Sequence, residues 1–216
     1  MTEIGKLLRS KPRSLAAIGV AVAIAAAAVL YGKAPPAGKA AGDCPPSSAA
    51  LAARLAPLAK GEVAAFVAAR RPRPAAALAF NGPDGAKLTL ADFRGRNLLV
   101  NLWATWCAPC RAEMPALDRL QAEAGGPKFE VVAVNVDTAR LERPAAFLNE
   151  IGVKTLSRYA DPSADSFEAL RQSGEALGLP TSLLVDAEGC EIGVVGGPAK
   201  WDSSDALALI GAFKGG

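Results

Sequence analysis

The sequence contains no histidine and only two methionines, Met1 and Met114. Without histidine the chain cannot use Ser-His or Cys-His nucleophilic catalysis, imidazole acid-base chemistry or histidine-ligated zinc. A copper-holding module is disfavoured as well, because imidazole and thioether groups are the ligands that copper prefers. The side chains left for covalent or proton-transfer chemistry are thiols and carboxylates.

The chain also has little net charge. The formal value is only +3, and the N-terminal tail contributes to it. We therefore expect no nucleic-acid partner. Hydrophobic residues make up 51% of the chain, and part of them lies in one N-terminal run. The rest of the chain has the length of one ordinary domain with a single core.

The N-terminus combines a basic tail, residues 1–13, with an uncharged apolar run, residues 14–32. A helix over this run would be about 28 Å long, close to the thickness of the hydrocarbon layer of a membrane. The basic flank predicts that the N-terminus stays in the cytoplasm and that the domain lies in the periplasm. A cleaved signal peptide is the alternative to this inner-membrane anchor, but the run is longer than a usual signal sequence.

Two segments separate the predicted anchor from the main domain. Residues 33–48 are rich in Pro, Gly, Ala and Ser and predict a linker. Residues 49–72 predict a helical extension with a break near residues 57–61, which packs against the domain at 73–216. A partly helical stalk in solvent is the alternative. The apolar positions with helical spacing are Leu51, Leu55, Leu58, Val63, Phe66 and Val67.

From residue 73 onwards, hydrophobic patterns typical of strands alternate with patterns typical of helices. A hairpin is predicted over 73–90, strands over 97–103, 129–136, 181–186 and 190–196, a short strand or bridge over 155–159, and helices over 108–124, 143–151, 163–177 and 203–213. This order predicts an α/β fold whose mixed central sheet has helices on both faces.

Cys107 and Cys110 lie at the junction of a predicted buried strand and the helix that begins at Ala108. The free N–H groups and the positive dipole end of that helix favour a thiolate at Cys107. Cys110, one turn further along, is less exposed and can close a small disulfide ring. The arrangement predicts dithiol-disulfide exchange in which Cys107 attacks and Cys110 resolves.

Other readings of this cysteine pair are weaker. Zinc would need two more ligands, and the remaining cysteines, Cys44 and Cys190, each stand alone. A c-type haem site needs histidine after the second cysteine, where this chain has Arg111. A peroxidase is disfavoured because a dithiol with this spacing normally turns over disulfides. We therefore expect no metal and no cofactor.

The residues around the pair resemble the thioredoxin superfamily, and more narrowly the membrane-tethered TlpA/ResA-like thiol-disulfide oxidoreductases of bacteria. The similarity covers residues 73–213 and is strongest over 88–95, 100–110, 113–115 and 179–181. It implies a thioredoxin-like fold with an N-terminal hairpin and an inserted helical unit between residues 137 and 177.

The resemblance also implies roles for individual residues. Thioredoxins have a buried Asp six residues before the first cysteine, where this chain has Asn101, which cannot titrate. We expect Glu113, on the same helix face as Cys110, to accept the Cys110 proton instead, as the family's Glu at this place suggests. The alternative is a first-turn carboxylate that only complements the helix dipole.

Four further residues complete the predicted site. Leu179-Pro180 matches the cis-proline loop of the superfamily, which faces the dithiol and leaves the Leu179 backbone free to pair with an extended substrate; an ordinary trans turn is the alternative. Trp106 is an apolar docking surface or a simple rim aromatic. Pro109 preorganises the first helical turn.

The Ala-Pro pair between the cysteines favours a reductant, because the strongest oxidants of this fold have histidine there. A thiolate supported mainly by the helix end should have a pKa near about 7 rather than about 3.5. The resemblance implies a reductant that takes electrons from a membrane dithiol relay, and we expect it to be a monomer. Its substrates would be copper-site assembly proteins or the copper-bearing subunit of cytochrome oxidase. Apocytochrome c during cytochrome c maturation is the alternative substrate, and a thiol-dependent binding module is the alternative class.

Cys44 and Cys190 are expected to face the oxidising side of the membrane, where free surface thiols rarely survive. They predict a structural disulfide that joins the end of the linker to the start of the strand after Gly189.

Overall fold

A computed structural model of the protein describes residues 43–215, and an eight-stranded mixed sheet forms the centre of this part of the chain. The strands are β1 Phe66–Pro74, β2 Ala79–Asn81, β3 Lys87–Thr89, β4 Asn97–Trp103, β5 Phe129–Asn135, β6 Tyr159–Ala160, β7 Thr181–Val185 and β8 Cys190–Gly196. Their order across the sheet is β1-β8-β7-β4-β5-β6-β2-β3. The helices are α1 Pro46–Leu55, α2 Ala108–Ala124, α3 Arg143–Glu150, α4 Asp165–Gln172 and α5 Ser204–Lys214.

The predicted anchor, the basic tail and the linker up to residue 42 lie outside the described residues. Within residues 43–215, none of the helices is long and apolar enough to cross a membrane. Residues 43–215 lie in one compact unit, so the domain begins well before residue 73.

Strand β4 is the central element, and all of its residues are buried. Parallel pairing with β5 and antiparallel pairing with β7 cover both of its edges, which explains its nearly continuous Leu and Val content. β4 is followed by α2, and both have the bounds that the sequence predicts. The mixed sheet and thioredoxin-like α/β architecture are thereby confirmed.

The prediction of a helical extension over 49–72 is wrong beyond Leu55. The chain continues through 3-10 turns and then forms β1, which pairs antiparallel with β8. Phe66 packs on Gly193, where a Cβ would come within 2.5 Å of the ring. Alanine-rich sequence favours helix locally, but pairing with β8 and burial of Phe66 decide the structure. A solvent-exposed stalk is also wrong, because Leu51 and Leu55 are buried.

Smaller differences concern the segments beside this extension. Residues 46–48 belong to α1 rather than to the linker, and residues 73–74 belong to β1 rather than to the predicted hairpin, which is formed by β2 and β3 alone. The inserted unit holds α3 and α4, and α4 is shorter than the predicted helix. The unit also contributes β6, which pairs with both β5 and β2 and so joins the hairpin to the sheet.

The two faces of the sheet differ at its β1–β8 end. Helix α1 packs against β1 and β8, where Phe66 and Val195 are opposite each other and buried. Val67 and Val194, the next pair in the register, point to the opposite face, and there Val67 is 70% exposed. This second face is the floor of a groove described below.

Candidate redox site

Cys107 and Cys110 form a disulfide at the N-terminus of α2. Cys107 is the N-cap residue, and its Sγ accepts a hydrogen bond from the Cys110 N–H at 3.2 Å. Cys107 is 6% exposed, whereas Cys110 is completely buried. Cys107 is therefore the sulfur that an incoming thiol or disulfide can reach.

Asp137 holds the loop that leads to Cys107. Both of its carboxylate oxygens accept from the Thr105 N–H, at 3.1 and 3.2 Å, and Asn135 donates to it at 3.3 Å. Asp137 was not predicted as a site residue. A signal was present in the sequence, because Asp137 follows β5 closely and parallel neighbouring strands deliver their carboxyl ends to one edge of a sheet.

Glu113 lies inside the domain, only 4% exposed. Its Oε1 accepts from Asn101 Nδ2 at 2.7 Å, and its Oε2 accepts from the Ala199 N–H at 3.2 Å. Burial raises the pKa of Glu113 to about 7, although these hydrogen bonds oppose the shift. Glu113 is thus not a solvent-facing carboxylate at the helix start, and it can exchange a proton near neutral pH.

Asn101 is completely buried in the middle of β4, directly beside Ser182 of β7. Its Nδ2 donates to the Ser182 Oγ at 2.9 Å as well as to Glu113. Within the described residues its Oδ1 has no hydrogen-bond partner. Ser182 and Ala199 were not predicted, because Ser182 meets Asn101 only through the pairing of β4 with β7, and Ala199 meets Glu113 only through the loop after β8.

The Leu179-Pro180 peptide bond is cis. Thr181, the next residue, pairs with Leu102 near the end of β4, so the proline lies at the same sheet edge as the loop before Cys107. Pro180 is buried, Leu179 is half-buried, and the Pro180 carbonyl accepts from the Gly197 N–H at 2.9 Å.

A groove of about 780 Å³ runs from this proline over the open face of β1 and β8. Its apolar lining includes Val67, Val194, Leu179 and Leu177, and the side chain of Leu177 is 99% exposed. Trp106, which precedes Cys107, is 70% exposed. Trp106 therefore provides exposed apolar surface next to Cys107. The groove provides further apolar surface beside Pro180.

A second cavity, of about 460 Å³, lies between α2 and the segment after β8. Pro109, Glu113 and Ala199 are among its lining residues. This cavity gives Glu113 a route to solvent that is separate from the groove at Leu179.

Residues 68–210 match the redoxin family, which is most of the described domain. The chain belongs to the redoxin family. It is 34% identical over 112 residues to thioredoxin-like protein YneN of Bacillus subtilis (strain 168), covering 49% of this chain and 59% of that protein. It is 31% identical over 110 residues to thiol-disulfide oxidoreductase ResA of Bacillus thuringiensis subsp. konkukian (strain 97-27), covering 49% and 58%. The redoxin thus spans less than two thirds of the length of these relatives.

A solved structure is also similar to this redoxin. The thiol:disulfide interchange protein of the thioredoxin family from Chlorobium tepidum TLS superposes with a TM-score of 0.54 at 28% identity, covering 68% of this chain and 99% of that one. The predicted resemblance to thiol-disulfide oxidoreductases is confirmed by these relatives.

The structure brings most of the predicted site residues to one edge of the sheet. Cys107, Cys110, Glu113, Trp106 and Pro109 come from α2 and the loop before it, and Leu179 and Pro180 from the loop before β7. Cys44 and Cys190 form a separate disulfide at the start of β8, whereas the cis-proline loop contacts the end of that strand. This second disulfide is remote from the redox site.

Proposed function

We propose that this redoxin is a protein dithiol reductant that works by thiol-disulfide exchange through Cys107 and Cys110. The observation that carries the proposal is the pairing of one accessible and one buried cysteine with a buried carboxyl whose pKa is about 7. A reductant needs a nucleophile that meets solvent, a resolving thiol that does not, and a group that takes the resolving thiol's proton.

In the proposed reaction the Cys107 thiolate attacks one sulfur of a substrate disulfide. A Cys107–substrate disulfide forms, and the other substrate sulfur leaves as a thiolate. Cys110 then gives its proton to Glu113, and the Cys110 thiolate attacks the Sγ of Cys107. The Cys107–Cys110 bond forms, the mixed disulfide breaks, and the second substrate sulfur leaves. Two electrons have moved to the substrate, and a dithiol donor must return them.

The groove beside Leu179 supports a polypeptide as the substrate. An extended segment can pair with the Leu179 backbone while its side chains contact the apolar face at Val67 and Val194. Pro109, at the first turn of α2, has no N–H group that could compete with such a segment.

The reducing direction rests on Ala108 and Pro109 between the cysteines, because neither side chain stabilises a thiolate as histidine would. We propose copper-site assembly proteins or the copper-bearing subunit of cytochrome oxidase as substrates, and a membrane dithiol relay as the electron donor. Apocytochrome c is the alternative substrate.

We also propose that residues 14–32 anchor a monomeric redoxin in the inner membrane with residues 43–216 in the periplasm. The apolar run, the basic tail before it and the Cys44–Cys190 disulfide support this location, since structural disulfides persist in oxidising compartments. A reporter enzyme that works only outside the cytoplasm, fused after Phe213, should be active. An inactive fusion, or a mature protein starting after Gly32, would contradict the anchor.

The substrate can be identified with a Cys110→Ser variant, which attacks disulfides but cannot release the mixed disulfide. Expressed in cells, this variant should accumulate covalent complexes that dissolve on reduction, and mass spectrometry identifies their partners. The matched control is Cys107→Ser/Cys110→Ser, which can form none. Capture of copper-site proteins supports the first proposal and capture of apocytochrome c the alternative. If the parent chain binds such proteins but does not reduce their disulfides, the redoxin is a binding module.

A further inference from the structure

We propose that the side-chain amide of Asn101 reverses when Glu113 takes up a proton, so that Asn101 and Ser182 hold both charge states of Glu113 in one position. Asn101 is then a positioning residue for proton transfer rather than a passive replacement for a carboxylate. The inference rests on the proposed function for its role in turnover, but its geometry concerns Glu113 alone.

The hydrogen bonds in the structure favour the ionised form of Glu113. A carboxylate accepts hydrogen bonds and donates none. Both Glu113 oxygens accept from an N–H group, Oε1 from Asn101 at 2.7 Å and Oε2 from Ala199 at 3.2 Å. A neutral Glu113 can still accept both bonds, but its new O–H group is a buried donor, and the Asn101 and Ala199 groups that face it are donors too. One partner must therefore change if the O–H group is to find an acceptor among them.

The two partners differ in whether they can change. The Ala199 donor is a backbone N–H in the loop after β8, and it cannot present an acceptor without movement of the chain. The Asn101 donor belongs to a primary amide, whose other end is a carbonyl of nearly the same size. A half-turn about the Cβ–Cγ bond places Oδ1 where Nδ2 now lies. Oδ1 can then accept from the protonated Oε1 of Glu113.

Ser182 permits this half-turn because a hydroxyl both donates and accepts. In the structure its Oγ accepts from Asn101 Nδ2 at 2.9 Å. After reversal, the same hydroxyl turns its hydrogen towards Oδ1 and donates, with no movement of either strand. Asn101 and Ser182 are directly opposite in the register of β4 and β7, which fixes their spacing.

The unpartnered Oδ1 of Asn101 fits this mechanism. All of the hydrogen bonds that Asn101 makes with its side chain use Nδ2, and Oδ1 is buried without a partner in the described part of the chain. Reversal leaves Nδ2 without a partner instead, so one unsatisfied group is exchanged for another. A fully satisfied amide would be locked in one orientation and would favour one charge state of Glu113.

Other charged groups lie near Glu113 but do not replace Asn101. The cavity beside Glu113 is also lined by Glu62, Arg119, Lys200 and Asp202, and Arg119 is paired with Asp202 at 2.7 Å. Cys110 lies three residues before Glu113 on α2. These groups act on the charge of Glu113, whereas Asn101, Ala199 and the buried Trp201 indole act on it as hydrogen-bond donors, and of these three only the Asn101 amide can also present an acceptor.

Nuclear magnetic resonance on the full chain in detergent micelles tests the reversal directly. The oxidised protein would carry ¹⁵N-asparagine and ¹³Cδ-glutamate, with Asn101→Leu and Glu113→Gln variants to assign the two signals. We expect the Asn101 amide signal to shift with the same midpoint as the Glu113 carboxyl carbon. The nuclear Overhauser contact from the Asn101 amide hydrogens to the Ser182 β-hydrogens should be present above that midpoint and lost below it.

A contact with Ser182 that persists at every pH while Glu113 titrates would overturn the proposal. The Asn101→Leu variant adds a second test, because an amide that serves both charge states should, when lost, raise the Glu113 midpoint by less than about one pH unit, the difference between a charged and a neutral hydrogen bond. Asn97→Leu, which removes another buried amide from β4 at the end far from Glu113, is the matched control and should leave the midpoint unchanged. A larger rise in Asn101→Leu would show that Asn101 serves the ionised form alone and would also overturn the proposal.

These measurements need neither substrate nor turnover. A parent chain that fails to reduce protein disulfides would contradict the proposed function and leave the reversal standing. A parent chain that reduces them while the Ser182 contact persists would contradict the reversal alone.

Discussion

Glu113 is the carboxyl of the redox site whose acid-base behaviour the fold changes. Its pKa rises from 4.5 to about 7 because burial disfavours the charged form. Between pH 4.5 and about pH 7, Glu113 is mostly protonated in the folded protein and mostly ionised in the unfolded chain. The free energy of unfolding therefore decreases as the pH rises through this range, and this residue destabilises the fold above it.

The first prediction is that Glu113→Gln removes this pH dependence. The oxidised parent should lose about 3 kcal/mol of stability from Glu113 between pH 4.5 and pH 8, an upper estimate, whereas the variant should lose correspondingly less. Urea denaturation of both proteins at the two pH values measures the difference. The variant should also reduce substrate disulfides more slowly, because no carboxyl accepts the Cys110 proton.

Asp137→Asn is a suitable control for this experiment, since it changes another buried carboxylate near the site that does not contact Glu113. It should keep the pH dependence that Glu113 causes. Equal slopes of stability against pH in the parent and in Glu113→Gln would show that Glu113 has an ordinary pKa.

The residue types and spacing of the α2 segment were sufficient to predict Cys107, Cys110 and Glu113, because a helix brings positions three apart to one face. The partners of Glu113 could not be predicted in this way. Asn101 meets Ser182 across a sequence separation of 81, and Glu113 meets Ala199 across 86. Such contacts depend on strand order and register, which local patterns do not determine.

At the scale of whole elements, β4 and α2 were predictable and β1 was not. A fully buried strand and an amphipathic helix each have one strong periodicity. The β1 segment alternates between a buried Phe66 and an exposed Val67 in an alanine-rich context, and only its partner β8 distinguishes it from a helix. The groove could not be predicted for the same reason, because β1 and β8 form its floor only when β1 is a strand.

The second prediction concerns this groove. Leu177→Ser should slow the reduction of a protein disulfide, measured as kcat/KM with insulin, by about fivefold. This estimate assumes that docking buries about half of the leucine side chain, which contributes about 1 kcal/mol. Reduction of the small disulfide 5,5′-dithiobis(2-nitrobenzoate) should be unchanged, because such a molecule reaches Cys107 without the groove.

Leu141→Ser is the matched control, since Leu141 is another exposed leucine, 55% accessible, and lines a different cavity next to α3. It should affect neither substrate. If both leucine variants slowed insulin reduction equally, the effect would come from general surface hydrophobicity. If neither did, a polypeptide substrate does not use the groove at Leu177.

At the scale of the whole molecule, the Cys44–Cys190 disulfide ties the N-terminal part of the domain to the sheet. Cys44 precedes α1, and Cys190 begins β8, the strand that pairs with both β1 and β7. Ser48 of α1 also donates to Asp186 at 2.5 Å. The segment predicted as a linker and a separate extension is thus joined to the domain by a covalent bond, a hydrogen bond and burial of Leu51 and Leu55.

The third prediction follows from the long loop that this disulfide closes, 146 residues in sequence separation. Restricting such a loop in the unfolded chain stabilises the folded state by up to roughly 5 kcal/mol. Cys44→Ala/Cys190→Ala should therefore unfold at a lower urea concentration than the parent, with both proteins oxidised at Cys107 and Cys110. Its reduction of 5,5′-dithiobis(2-nitrobenzoate) should stay the same, because the disulfide is remote from the redox site.

Mass spectrometry of non-reduced peptides must first show the Cys44–Cys190 link in the parent, and alkylation of both thiols in the native parent would contradict the prediction at once. The single variant Cys44→Ala separates loop closure from packing, because it removes the link while the buried Cys190 side chain stays in place. If Cys44→Ala is as stable as the parent, closing the loop contributes nothing. If it is as unstable as the double variant, the covalent link itself holds the N-terminal segment to the sheet.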